Sequence, residues 1–245
     1  MRKKLAFISL FMICTALFCS ANIGTFDKDR DTWLIDTGKI KCEFLEGCMF
    51  PVFFQKNGQF YPNFSLLDEL QTSSGKYYLK EERWANIKII ENTPEVFKAE
   101  CRGRFGRNGS PRYRIYKASD AVYRYTFRKN SGKVEMSAEV TIKDKAPVKY
   151  MLFHAGWLYH EFPQIIINGQ AVRTVRGRRI VFPDSGAVLK NAMGSIALPG
   201  DAEFNISYKR YDKNSNLFQY IILPKNRGDL KKAGRITADL TLEFR

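Results

Sequence analysis

The sequence predicts an all-β protein, a large two-sheet antiparallel β-sandwich with little helix. Three observations predict it. Apolar and polar residues alternate with period two along many short runs, as strands with one buried face require. Turn residues interrupt these runs about every eight to twelve positions, the spacing of sandwiches and barrels. Helix-period segments are nearly absent, the best being a turn or two around residues 66–70.

At the start, Arg2, Lys3 and Lys4 precede an apolar run of 14 residues, 5–18, and then the small residues Cys19, Ser20 and Ala21. This order is that of a secretory signal peptide. The run falls short of the roughly 20 residues that span a bilayer as a helix, and no later segment meets that length. Residues 1–21 are therefore expected to be removed, leaving 22–245 as a single secreted or periplasmic domain without a transmembrane segment. Lipid anchoring at Cys19 is the disfavoured alternative, because bulky Phe18 stands where a small residue is expected.

Loss of Arg2, Lys3 and Lys4 lowers the formal net charge from +15 to +12. Such a surplus attracts polyanions by steering and counterion release. Outside the cytoplasm these include acidic polysaccharides and anionic envelope surfaces. Cys42, Cys48 and Cys101 remain after cleavage. Cys42 and Cys48 flank the turn-like stretch EFLEG, where a bond would close a small loop, while an odd number leaves one thiol over.

Along the chain, WLIDTGKIKCEF reads as two strands joined through Asp-Thr-Gly. Asn57-Gly58 within FFQKNGQFY and Asn168-Gly169 within IIINGQAV signal hairpins with type I′ turns. WANIKII and VFKAECRGRF follow as strands. The clearest pattern is VYRYTFRKNSGKVEMSAEVTIK. Tyr123, Tyr125 and Phe127 share one face, as do Val134, Met136, Ala138, Val140 and Ile142. With Ser131-Gly132 as a two-residue loop, Arg128 lies across from Glu135, Arg124 from Glu139 and Phe127 from Met136. PVKYMLFHA, RRIVF, AEFNISYKRY, LFQYIIL and RITADLTLEF complete the strands.

Two clusters carry chemistry. The first is FHAGWLYHEF, which holds the two histidines of the chain. His154, His160, Tyr159 and Glu161 are the catalytic candidates, since an imidazole beside a carboxylate can move protons near neutral pH. Trp157 offers a flat face to a sugar ring, and Gly156 is expected to interrupt the strand with a bulge. The second cluster is basic. Arg102, Arg104, Arg107, Arg112 and Arg114 lie in CRGRFGRNGSPRYR, and Arg173, Arg176, Arg178 and Arg179 in VRTVRGRRI. Guanidinium groups bind carboxylate and sulfate in pairs of hydrogen bonds, and Phe105, Tyr113 and Tyr116 are interleaved as stacking surfaces.

The histidine spacing does not match the zinc-binding HExxH arrangement, so no metal is expected. The serine elbow, the phosphate-cradling loop and the dinucleotide fingerprint are missing, so no cofactor is expected. No specific nucleic-acid partner is expected either.

WLIDTGKIKCEF, VYRYTFRKNSGKVEMSAEVTI and LKKAGRITADLTLEF together resemble the β-supersandwich domains of secreted bacterial polysaccharide-processing proteins. The likeness is to exo-rhamnogalacturonan lyase-like proteins and relatives with the galactose mutarotase-like sandwich, in pattern and order across most of the mature chain. It implies a many-stranded antiparallel sandwich that holds or acts on a carbohydrate chain. Catalytic relatives use tyrosine, histidine, arginine or lysine in a cleft partly built by a helical domain. That helical domain has no counterpart here, and no catalytic residue of the family aligns with a position of this chain.

The leading expectation is an exported carbohydrate-binding or accessory protein for an acidic polysaccharide. The alternatives are a lyase or mutarotase-like enzyme acting on uronate-containing sugars, and a structural envelope-associated protein.

Overall fold

A computed structural model describes residues 21–45, 47–55, 57–59, 64–72, 75–79, 85–107, 114–115, 119–143, 148–157, 164–167, 170–172, 179–181, 187–191, 194–198, 204–210, 216–222 and 234–245. These residues form strands and turns, with no helix among them. The chain opens with β1 (Gly24–Asp27), β2 (Thr32–Asp36), β3 (Ile40–Leu45) and β4 (Val52–Gln55). Next come β5 (Phe64–Thr72), β6 (Gly75–Leu79), β7 (Asn86–Asn92), β8 (Val96–Gly103), β9 (Gly106–Arg107) and β10 (Arg114–Ile115). The long strands β11 (Ser119–Arg128), β12 (Lys133–Ile142) and β13 (Val148–Trp157) follow. After them run β14 (Gln164–Ile167), β15 (Gln170–Val172), β16 (Arg179–Val181), β17 (Ala187–Asn191) and β18 (Gly194–Leu198). The last three are β19 (Phe204–Arg210), β20 (Asn216–Ile222) and β21 (Gly234–Phe244).

The fold is the all-β antiparallel sandwich that the alternation predicts. Among the described residues its strands make two large sheets, one of eight strands in the order β10-β9-β6-β5-β13-β20-β19-β16 and one of nine in the order β15-β14-β17-β18-β21-β12-β11-β8-β7. A smaller sheet, β1-β2-β3-β4, adds to the expected pair.

Alternation decides what each face touches, because side chains on a strand point to opposite sides in turn. On β11 the odd residues Tyr123, Tyr125 and Phe127 are buried, and on β12 the even residues Val134, Met136, Ala138, Val140 and Ile142. The small sheet lies against this inner face. Phe44 meets Tyr125 and Phe127 edge-on, with ring centroids 5.2 and 5.9 Å apart. Phe53 stacks on Phe244 at 4.5 Å, and the Tyr125 hydroxyl donates to the Met49 carbonyl at 2.9 Å. Each such buried aromatic contributes about 1.5–3 kcal/mol by leaving water. Leu70, Leu79 and Phe105 extend the same core to the region of the eight-stranded sheet.

Several expectations are revised by tertiary contacts. The β11–β12 ladder pairs Phe127 with Val134 and Arg124 with Ser137, two residues from the expected register. Its loop is residues 129–132, where Asn130 takes a φ of 57°. Lys129 N–H donates to Glu95 O and Asn130 N–H to Thr37 O, so distant segments hold the wider loop. A shift of two preserves which face each residue occupies.

At Asn57-Gly58 only Gly58 has positive φ, 82°, and the Gln55 carbonyl accepts from its N–H. A type I′ turn needs positive φ at both central residues, so the turn is of another type. Ile167 pairs with Gln170 across the second Asn-Gly, as a two-residue hairpin loop requires; Asn168 and Gly169 lie outside the described residues. Residues 66–70 are strand, hydrogen-bonded between β6 and β13, where sheet pairing overrides a weak helical pattern. Gly156 pairs regularly with Ser65, and the irregularity of β13 falls between Val148 and Tyr150 instead. Cys42, Cys48 and Cys101 are thiols, so the small Cys42–Cys48 loop is not closed.

Candidate polar face of the nine-stranded sheet

The residues that alternate away from the core give β8, β11, β12 and β21 a continuous charged face. Register places Glu100 directly across from Arg124 and Arg102 across from Val122. The two oxygens of Glu100 are divided between two arginines. Arg102 Nε donates to Oε1 at 2.8 Å, and Arg124 Nε donates to Oε2 at 2.9 Å. Further across the sheet, Arg124 Nη1 lies 3.6 Å from Glu139, which also accepts from Arg235 Nη2 at 2.6 Å. Beside this chain of charges, Asp120 accepts from Arg104 Nε at 3.1 Å and is paired with Lys143.

Glu100 is the unusual member, because its side chain is only 9 % exposed. Burial pushes its carboxyl up, but the hydrogen bonds and charges of Arg102 and Arg124 outweigh this and hold it below the ordinary carboxylate value. Asp120 is also lowered, chiefly by its hydrogen bond to Lys143; burial opposes this, and the hydrogen bond and charge of Arg104 add to the lowering. Both carboxylates are therefore ionised at neutral pH, and both fix their cations in place.

Thr126, Ser137, Thr141 and Thr237 share the same face by parity and add hydroxyls among the charges. In the ion-paired array, five cations, Arg102, Arg104, Arg124, Lys143 and Arg235, face three carboxylates, Glu100, Asp120 and Glu139; on the same parity around it, Lys98, Arg128 and Lys133 stand against Glu135, Asp239 and Glu243. The face thus combines a positive balance with fixed donors and acceptors. Among the described residues, no three His, Cys, Asp or Glu side chains gather as a metal-holding group.

Of the residues singled out from the sequence, Arg102 and Arg104 lie in this array. Arg107 and Arg114 pair with each other through their backbones on β9 and β10 of the other large sheet. The basic run is thus split between two sheets. Phe105, read as a stacking surface, is wholly buried in the core, because it follows the inward parity of Cys101 on the same chain segment. His154 and Trp157 sit on β13, opposite Leu67 and Phe64 in backbone register. Tyr159, His160, Glu161, Arg112, Tyr113, Tyr116, Arg176 and Arg178 lie outside the described residues. Glu100 and Asp120 carried no local signal of importance. The usable clue was parity, since alternation through β8 and β11 places them beside the outward arginines.

This arrangement defines a β-sandwich with a polar, ion-paired outer sheet face. No protein-family model matches the chain, and no curated protein matches it in sequence. Solved structures share its fold. A glycosyl hydrolase family 38 protein from Enterococcus faecalis aligns over 86 % of this chain and 30 % of its own, with 9 % identity and a TM-score of 0.59. An α-mannosidase from Enterococcus faecalis V583 aligns over 86 % and 29 %, with 9 % identity and a TM-score of 0.58. This chain therefore spans about three-tenths of the length of those proteins. A galactose mutarotase-like protein from Lactobacillus casei is also a neighbour, covering 87 % of this chain and 100 % of its own at 11 % identity and a TM-score of 0.46.

Proposed function

We propose that this chain is an exported carbohydrate-binding or accessory β-sandwich whose ligand is an acidic polysaccharide. The observation that carries the reading is the face built on Glu100, where rigidly held guanidinium groups stand among hydroxyl-bearing side chains. Sugars are recognised by fixed polar donors and acceptors, and acidic sugars by arginine in addition. The fold shared with parts of a glycosyl hydrolase and a mannosidase supports a carbohydrate role. The positive charge of the chain supports an anionic ligand.

The test is a glycan-array assay at low and physiological salt, with ultraviolet absorbance for unsaturated product measured in parallel. Binding to uronate or sulfated glycans that weakens with salt is the expected result. Absence of glycan binding at low salt would sink the reading. Growth of absorbance would make the protein a lyase, and alanine at His154 and His160 would then test the histidines as proton carriers.

A further inference from the structure

We propose that Arg102 and Arg104 form a two-point oxyanion site that grips carboxylate or sulfate groups of an anionic glycan through their outward Nη edges. The inference deepens the carbohydrate reading and rests on it. A guanidinium can be approached from its Nε side or from the end formed by Nη1 and Nη2. Among the described residues the ion-paired arginines divide by that choice, save Arg124, which gives Nε to Glu100 and sets Nη1 3.6 Å from Glu139. Arg30 gives Nη1 and Nη2 to Glu43 at 3.0 and 2.8 Å, and Arg128 and Arg235 give Nη2 to Glu135 and Glu139. Their end edges are engaged within the protein.

Arg102 and Arg104 are instead held through Nε, by Glu100 and Asp120. Their side chains remain 64 % and 50 % exposed. Each carboxylate acts as a brace behind the guanidinium and orients it, while the two Nη groups stay available for an incoming oxyanion. Glu100 does not compete for that edge, because it is buried and shared with Arg124. Two positions apart where β8 ends, the two residues have Cα atoms about 7 Å from each other. Lys143, beside Asp120, adds charge next to the second fork. A linear polymer with repeated anionic groups fits a row of this kind better than a single small anion.

The experiment compares the full chain with its Arg102→Lys/Arg104→Lys variant. Lysine keeps the charge and loses the fork. The probes are polygalacturonate, dextran sulfate, neutral dextran and a single-stranded DNA oligonucleotide, each titrated across salt concentrations. Binding to an anionic glycan is expected to weaken about tenfold for each substitution. The salt slope is expected to stay unchanged, since the number of charges is the same. Loss confined to polygalacturonate assigns the site to uronates, and loss confined to dextran sulfate assigns it to sulfate esters. Arg128→Lys, whose Nη edge is already engaged, is the control expected to bind as the parent does, and thermal melts confirm that each variant is folded. Parental affinity in the folded double variant overturns this site while leaving the carbohydrate reading intact. A parent chain that binds no glycan overturns that reading itself. Oligonucleotide binding as tight as glycan binding, with the same loss on substitution, overturns the assignment to glycans.

Discussion

Arg124 and Glu100 oppose each other directly across β11 and β8, and the Nε of Arg124 donates to Oε2 of Glu100 at 2.9 Å. With Arg102 on the other oxygen, a nearly buried carboxylate is satisfied on both sides.

Its lowered pKa makes stability depend on acid. A carboxyl whose folded pKa lies below its unfolded value stabilises the protein above the unfolded value, and that contribution is lost as pH falls through the folded value. The loss begins below about pH 4.5, near the ordinary glutamate pKa, and continues downward. Glu100→Gln should destabilise the protein by about 1–3 kcal/mol at pH 7. The variant should also melt with a shallower dependence on pH in the acid range. Identical acid dependence in thermal melts of parent and variant would assign the titration to other carboxylates.

Two neighbouring tyrosines of β11 should respond in opposite ways to loss of the hydroxyl. Tyr125 donates to Met49 O, so Tyr125→Phe should cost about 1–2 kcal/mol in chemical denaturation. Among the described residues, the buried hydroxyl of Tyr123 has no hydrogen-bond partner. Tyr123→Phe removes its desolvation penalty and should change stability by less than about 0.5 kcal/mol or raise it. A larger loss at Tyr123 than at Tyr125 would contradict both assignments.

Gly132 ends the β11–β12 loop against the last strand. A Cβ there would lie 2.5 Å from the carbonyl oxygen of Phe244, whose N–H donates to Gly132 O at 2.9 Å. Both contacts are to backbone, which cannot rotate away as a side chain can. Gly132→Ala should therefore lose about 2 kcal/mol or more. An unchanged denaturation midpoint would show that β21 shifts freely at this point.

Cys42 should be chemically silent in the folded protein. Its thiol pKa is raised well above the ordinary value, chiefly by burial and further by Glu43 and Cys101. Reaction needs the thiolate and access to it. Iodoacetamide labelling at pH 8, followed by mass spectrometry, should modify Cys42 only at the rate of unfolding. Labelling that is fast compared with unfolding would show that the β3 face opens.

Much of the fold was legible because strand parity is local. Tyr123, Tyr125 and Phe127 against Arg124 and Arg128 could be sorted into inner and outer faces from spacing alone. Their ladder register was not legible to the same degree. The expected two-residue loop gave way to residues 129–132, held by backbone bonds to Glu95 and Thr37. Even so, Arg128 and Glu135 meet diagonally at 3.4 Å and Arg124 and Glu139 at 3.6 Å, because a two-residue shift keeps like faces together. For the candidate site, the basic run around Arg102 was visible, and the inward place of Phe105 follows the same parity as Cys101. The division of the run between two sheets was not legible, since it depends on where the chain leaves β8.

The sequence by itself determined the all-β class, the charge balance and the face on which each residue of the long strands lies, because alternation needs only neighbours along the chain. Tertiary structure alone decided which arginines are braced through Nε and which spend their Nη groups inside the protein. Glu100 reaches Arg124 across 24 positions and Glu139 reaches Arg235 across 96. Such pairs exist only after strand order and register bring remote segments to hydrogen-bonding distance, so no local pattern encodes them.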